Sequence, residues 1–137
     1  MEDGIYLAFD GLKLDLHNIY SFGGLEYSIE HRTLKLAWQL GSVDPESKKW
    51  IKDILPRKIQ IEFTGVSSFE FRPRDPELPF SEDDCLGNAG YLSGEEWCDD
   101  VMILNEEPDP EWKTAFEFRS EAMIALQAER GTARILA

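Results

Sequence analysis

Apolar residues at Ile5, Leu7 and Phe9 alternate with Tyr6 and Ala8. After Asp10-Gly11 the alternation resumes, with Leu12, Leu14 and Leu16 set against Lys13, Asp15 and His17. A period of two puts each set on one face of a strand, and Asp-Gly is a favoured pair for a tight type I′ turn, so residues 5–16 read as a β-hairpin. Gly23-Gly24 is expected to break the chain before a second alternating run, Leu25, Tyr27 and Ile29 against Glu26, Ser28 and Glu30. A turn at His31-Arg32 then leads into Leu34, Leu36, Trp38 and Leu40, a second hairpin.

The period changes at Asp44-Pro45, an N-cap residue followed by Pro at the first helical position. Trp50, Ile51, Ile54 and Leu55 recur at helical spacing and Pro56 ends the run, which predicts one short amphipathic helix. Alternation returns with Ile59, Ile61 and Phe63 inward and Lys58, Gln60, Glu62 and Thr64 outward. Gly65 allows a bulge or turn before Phe69 and Phe71, and Pro73 and Pro76 stop that strand because neither can donate to a ladder.

From Asp75 to Glu111 the pattern thins to isolated apolar anchors, among them Leu78, Phe80, Leu86, Tyr91, Leu92 and Trp97. The stretch reads as long loops with a helical turn around Glu95–Cys98 and a short strand at Val101–Leu104. Gly87-Asn88-Ala89-Gly90 reads as a flexible turn. The chain closes with strands at Trp112–Arg119 and Ala122–Ala128, then a turn at Arg130-Gly131 before Ala133–Leu136. Ala122–Glu129 also has the composition of a helix. Eight or nine short strands with one or two short helices predict a mainly β (α+β) fold. An antiparallel sandwich, strongly curved sheet or partial barrel, forming one domain over residues 1–137, fits that count.

Charge changes this picture. The net charge is −13. Of the 27 acids, 13 fall between Asp75 and Glu111, a stretch with no Lys or Arg, and the other 14 are balanced by the chain's 14 bases. One loop-rich segment, residues 75–111, therefore carries the whole imbalance. Such a field repels nucleic-acid phosphate and anionic lipid and attracts cationic proteins. The predicted partner is a basic protein. Glu82, Asp83, Asp84, Glu95, Glu96, Asp99 and Asp100 would steer the encounter, and Tyr91 and Trp97 would serve as aromatic anchors. No nucleic acid and no membrane is expected as a partner. The other reading of the segment is a solvated loop that maintains solubility, its aromatics pinned to the core.

Candidate chemistry adds little. No G-x-S-x-G, zincin or P-loop pattern occurs, so no catalytic residue is expected. His17 and His31 could each pair with a carboxylate in a pocket between sheets, the route by which a small enzyme or ligand-binding domain would be built. A surface position is the commoner fate of such histidines. Cys85 and Cys98 match no zinc spacing and lie among acids, which raise a thiol pKa. Ser81–Asp84 and Glu95–Asp100 cluster oxygen ligands but lack the alternating ligands and central Gly of a calcium loop. No metal and no cofactor is predicted. The start Met-Glu-Asp-Gly shows no basic stretch leading into an apolar run, which predicts a cytoplasmic protein. A strand edge at the C-terminus offers a route to a homodimer or a self-associating subunit.

Three stretches carry a family resemblance: Ile19–Gly24 leading into an alternating strand, Ile59–Val66 followed by Phe69-Glu70-Phe71, and the closing strand pair. Together they resemble small β-rich bacterial immunity proteins of polymorphic-toxin systems. The resemblance implies a cytoplasmic inhibitor that silences a toxin domain. An acidic surface would suit a toxin that is basic because it cleaves nucleic acid.

Overall fold

The computed structural model describes residues 6–9, 12–16, 20–40, 57–94, 96–99, 102–103 and 111–136. Among these residues the fold is mainly β: an antiparallel sandwich with no closed barrel, plus a small third sheet. One layer is a four-stranded sheet ordered β12-β5-β4-β3, built from β3 (Tyr20–Ser28), β4 (Thr33–Leu40), β5 (Lys58–Thr64) and β12 (Arg130–Leu136). The facing layer has five strands ordered β6-β11-β10-β7-β8: β6 (Ser68–Arg72), β7 (Leu86–Ser93), β8 (Glu96–Asp99), β10 (Lys113–Phe118) and β11 (Met123–Gln127). The small sheet pairs β1 (Tyr6–Phe9) antiparallel with β2 (Leu12–Asp15) and parallel with β9 (Met102–Ile103), which runs close to β7.

Both predicted hairpins form. Phe9 pairs with Leu12, the register a two-residue Asp10-Gly11 connection requires. Ser28 pairs with Thr33, and Arg32 takes φ 53 to close the β3–β4 turn. Gly23-Gly24 does not break the chain as expected. The pairing shifts between Phe22 and Gly24, so Gly23 is the extra residue of a bulge inside one continuous strand.

The core lies between the two layers. Leu34, Leu36 and Trp38 on β4 and Ile59, Ile61 and Phe63 on β5 face Leu86 and Ala89, Phe116 and Phe118, and Ile124 and Leu126 across the gap. All are buried because alternation turns one side of each strand inward. Trimming a fully buried member such as Leu36 or Ile61 to Ala costs about 2–5 kcal/mol, transfer and cavity terms together. Aromatic rings fasten one layer to the other: Trp38 lies 5.7 Å from Phe116, Phe22 lies 4.7 Å from Phe118, and Tyr27 lies 5.1 Å from Phe69.

The layers are also joined through the backbone. β5 continues through Gly65-Val66-Ser67 into β6, and β11 continues through Ala128-Glu129 into β12, the two paths staying paired. Ser67 N–H donates to the Gln127 carbonyl at 2.9 Å and Glu129 N–H to the Thr64 carbonyl at 3.0 Å. A two-stranded ribbon thus folds around a corner and supplies strands to both sheets. The expected closing hairpin is corrected accordingly. Arg130-Gly131 is no turn but the start of β12, which pairs with β5 in the opposite layer.

Two further expectations change and one is met. Of the two readings of Ala122–Glu129 the strand holds, as β11, Met123–Gln127. The helical turn expected at Glu95–Cys98 is replaced by β8. Gly87-Asn88-Ala89-Gly90 lies inside β7, with Asn88, Ala89 and Gly90 paired to Glu117, Phe116 and Ala115 of β10. The helix expected between Asp44 and Pro56 falls outside the described residues. Among those described, the one helical element is a 3-10 turn, Phe80–Glu82.

Candidate functional site

β6 and β7 are not neighbours in their sheet, since β11 and β10 lie between them. The connection from Pro73 to Cys85 therefore has to cross the end of the sheet, and it does so by lying on the β10–β11 turn. Asp75 N–H donates to the Ser120 carbonyl (2.8 Å), Ser120 N–H to the Glu82 carbonyl (3.2 Å) and Arg119 N–H to the Cys85 carbonyl (2.8 Å). At its far end, Phe22 N–H on β3 donates to the Asp84 carbonyl at 2.8 Å, tying the loop to the other layer. Ser120 is fully buried beneath it.

Inside the loop, Arg74 is the organising side chain. Its Nε donates to Asp83 Oδ1 at 2.7 Å, and one terminal nitrogen donates to the carbonyls of Leu78 (2.7 Å) and Pro79 (3.1 Å). Its guanidinium also sits 4.7 Å from the centre of the Phe80 ring. A planar fork of donors with a π-stacking face is the side chain suited to this combination. Asp75 Oδ1 accepts from Glu77 N–H at 2.9 Å, closing the first bend, and Glu82 and Asp83 N–H donate to Pro79 and Phe80 carbonyls to form the 3-10 turn.

The result is an exposed aromatic held in place. Phe80 is 80% exposed, and its loop also carries Asp75, Glu77, Glu82, Asp83 and Asp84, with Glu121 in the β10–β11 turn on which the loop lies. Against those six carboxylates are two guanidiniums, Arg74 and Arg119, the latter 3.8 Å from Glu82. The loop and the turn beneath it are therefore net negative and leave Phe80 exposed.

The structure brings only part of the predicted acidic set together. Glu82, Asp83 and Asp84 lie at the entrance to β7, whereas Glu96 lies beyond its exit. Eight residues of strand, roughly 20–25 Å, separate the two groups. Glu95 and Asp100, and the side chain of Asp99, fall outside the described residues. Tyr91 is 9% exposed and its ring lies 6.2 Å from that of Trp112. Trp97 packs against Leu92, Ala115, Met123 and Ala125, a second buried cluster on the outer side of the five-stranded sheet. The sequence pattern marks Phe80 only as one apolar anchor among several and gives Arg74 no role. The signal available was an apolar residue between Pro79 and Ser81 in a segment otherwise poor in them, with one Arg placed just before the acids begin.

Cys85 closes the loop. Burial pushes its thiol above the ordinary pKa, the Arg119 charge pulls it down, and Glu82 and Asp84 push it up again. A protonated thiol is a poor nucleophile. His31 is exposed in the β3–β4 turn, 3.8 Å from Glu30 and on a different element from the loop, and His17 lies outside the described residues. Among the described residues no three His, Cys, Asp or Glu side chains converge as metal ligands, and no helix is long and apolar enough to cross a membrane.

Comparison with protein-family models, curated proteins and solved structures finds no match. The functional reading therefore rests on the chain's own residues.

Proposed function

We propose that this chain is a non-enzymatic binding protein that meets a basic protein partner through the Pro73–Cys85 loop. The observation that carries the reading is Phe80: a large apolar ring left 80% exposed, braced by Arg74 on a loop that bears five carboxylates. Aromatic anchors inside a polar rim are the usual energetic centre of a protein interface. A braced anchor loses less entropy on docking than a loose one. The surrounding charge speeds encounter with a cationic surface, and the desolvated ring slows dissociation.

In this reading the steering charge comes from Asp75, Glu77, Glu82, Asp83 and Asp84, and Tyr91 and Trp97 hold the sheet that carries the loop. The partner class is a domain whose basic face normally grips phosphate. The resemblance to immunity proteins supports a nuclease-like toxin domain, the carboxylates taking the place of backbone phosphates.

The test is inhibition of a basic nuclease-type toxin domain encoded beside this chain, measured as DNA or RNA cleavage with and without the protein. Wild type should suppress cleavage at stoichiometric amounts. Phe80→Ala should weaken binding about 30-fold or more, the loss of a hot-spot residue worth about 2 kcal/mol. Glu77→Lys with Asp84→Lys should mainly slow association, and wild-type affinity should fall steeply with salt. Unimpaired inhibition by the Phe80 variant, or none by wild type, would overturn the reading.

A further inference from the structure

The sandwich has four strand edges, and three are obstructed. On β3, the Gly23 bulge distorts the ladder and the Phe22 N–H is taken by Asp84. β6 is five residues long and runs into Pro73. β8 has four residues and its pairing with β7 is bulged. β12 differs from all of them. It pairs with β5 over seven consecutive residues, from Arg130↔Thr64 to Leu136↔Lys58, without a bulge or a proline, and no other described strand lies on its far side. A long, regular, uncovered edge is a template for strand addition.

The sequence of β12 says which strand fits. In antiparallel pairing of two copies, side chains on one face stay on one face only if a residue lies opposite itself. Centring on Thr132 sets Arg130 against Arg134 of the second copy, and centring on Arg134 sets that residue against itself. Both put like charges directly opposite. Centring on Ala133 avoids this: Thr132 then faces Arg134, and Arg130 faces Leu136. It also sets Ile135, which is 51% exposed, against Gly131, whose missing side chain leaves room for it.

We propose that β12 is a self-association edge, pairing antiparallel with β12 of a second copy about Ala133 to give a continuous eight-stranded sheet. The contact is isologous and closes as a dimer. Arg134 is already 3.4 Å from Glu62, which offsets part of the repulsion as four arginines approach on one face. Added salt therefore tightens the dimer, the opposite of its effect on a cationic partner.

The test uses the full chain in sizing with light scattering, from low micromolar to a few hundred micromolar. A dimer that strengthens with salt is expected. Ile135→Lys should shift it to monomer, and Arg130→Gln, which takes away two of the four arginines that approach across the join, should tighten it and flatten its salt dependence. Ala133→Cys should crosslink to itself on oxidation well above the background from Cys85 and Cys98, whereas Thr132→Cys should not. A monomer at every concentration overturns the proposal. So does a dimer that Ile135→Lys leaves intact and that Ala133→Cys does not crosslink, which would place the contact elsewhere. None of these outcomes bears on the Phe80 loop, which is tested by toxin inhibition.

Discussion

Arg74 and Asp83 meet at 2.7 Å, and through that contact the last base before the acidic segment cancels one of its carboxylates while holding the loop closed. The pair is half-exposed, so its Coulomb energy alone is modest, about 1 kcal/mol or less. The larger effect is geometric, because the same guanidinium holds two carbonyls and the Phe80 ring. Arg74→Ala is expected to cost the whole protein about 1–2 kcal/mol, from the lost charge-assisted hydrogen bonds. It should also raise amide hydrogen exchange across Asp75–Asp84 without changing it in β4 or β5. Lys cannot supply the fork, so Arg74→Lys should behave much like Ala. Equal protection in wild type and variant would show that the loop is held by its backbone contacts alone.

Gly65 sits at the corner of the shared ribbon with φ 64, and a methyl group built there would lie 2.6 Å from Cγ and Cδ of Glu129. Gly65→Ala is expected to destabilise by about 1–2 kcal/mol through left-handed backbone strain, plus whatever Glu129 cannot relieve by moving. Glu129 is exposed and flexible, so the double variant Gly65→Ala, Glu129→Ala should recover the steric part and leave the backbone part. Urea unfolding of the two variants and wild type separates the contributions.

Trp38 is 1% exposed, yet its indole N–H has no hydrogen-bond partner among the described residues. A buried unpaired donor costs about 1–3 kcal/mol. Trp38→Phe removes that donor and keeps a ring between Phe22 and Phe116, so the lost packing and the removed penalty should nearly cancel. Stability within about 1 kcal/mol of wild type is expected, against about 3–5 kcal/mol lost for Trp38→Ala. Thermal unfolding of the two variants decides it. A Phe variant as damaged as the Ala variant would mean the indole is stabilising after all.

Tyr20 is buried at the start of β3, and burial pushes its hydroxyl pKa up to about 12 from 10. The unfolded chain therefore releases this proton first as pH rises. The stabilisation is complete below pH 10 and is lost between pH 10 and about 12, by at most about 3 kcal/mol. Tyr20→Phe removes the titration, so the difference in stability between wild type and variant should be flat below pH 9 and should move in favour of the variant above pH 10. Chemical denaturation across that range provides the measurement.

Strands with one wet face were legible in the sequence; of the strands covered on both faces, β11 was read beside a helical alternative and β7 was missed. β4 and β5 alternate in burial residue by residue, which is why Leu34-Leu36-Trp38 and Ile59-Ile61-Phe63 could be read directly. In β11, Met123 to Leu126 are all buried, and in β7, Ala89 to Leu92 are. Coverage on both sides erases the period of two, leaving Met-Ile-Ala-Leu open to a helix as well as a strand and Gly-Asn-Ala-Gly to suggest a turn. The site was half legible. Charge placed the acids in one segment, but whether Glu82 and Glu96 share a face depends on how β7 is threaded through its sheet, which no local pattern encodes. Phe80 was equally hidden, since its exposure follows from Arg74 bracing a loop whose path is set by the strand order.

The ribbon that turns the corner has a kinetic consequence. Thr64 and Arg130 are neighbours in space but are separated by nearly half the chain, so neither layer can be completed until the C-terminal strands have been made and brought back. Closing so long a loop before any reward arrives predicts slow assembly on the timescale of non-local β-proteins. A chain severed between β9 and β10 would leave each fragment with an incomplete share of both layers, and structure should return only when the two pieces are mixed.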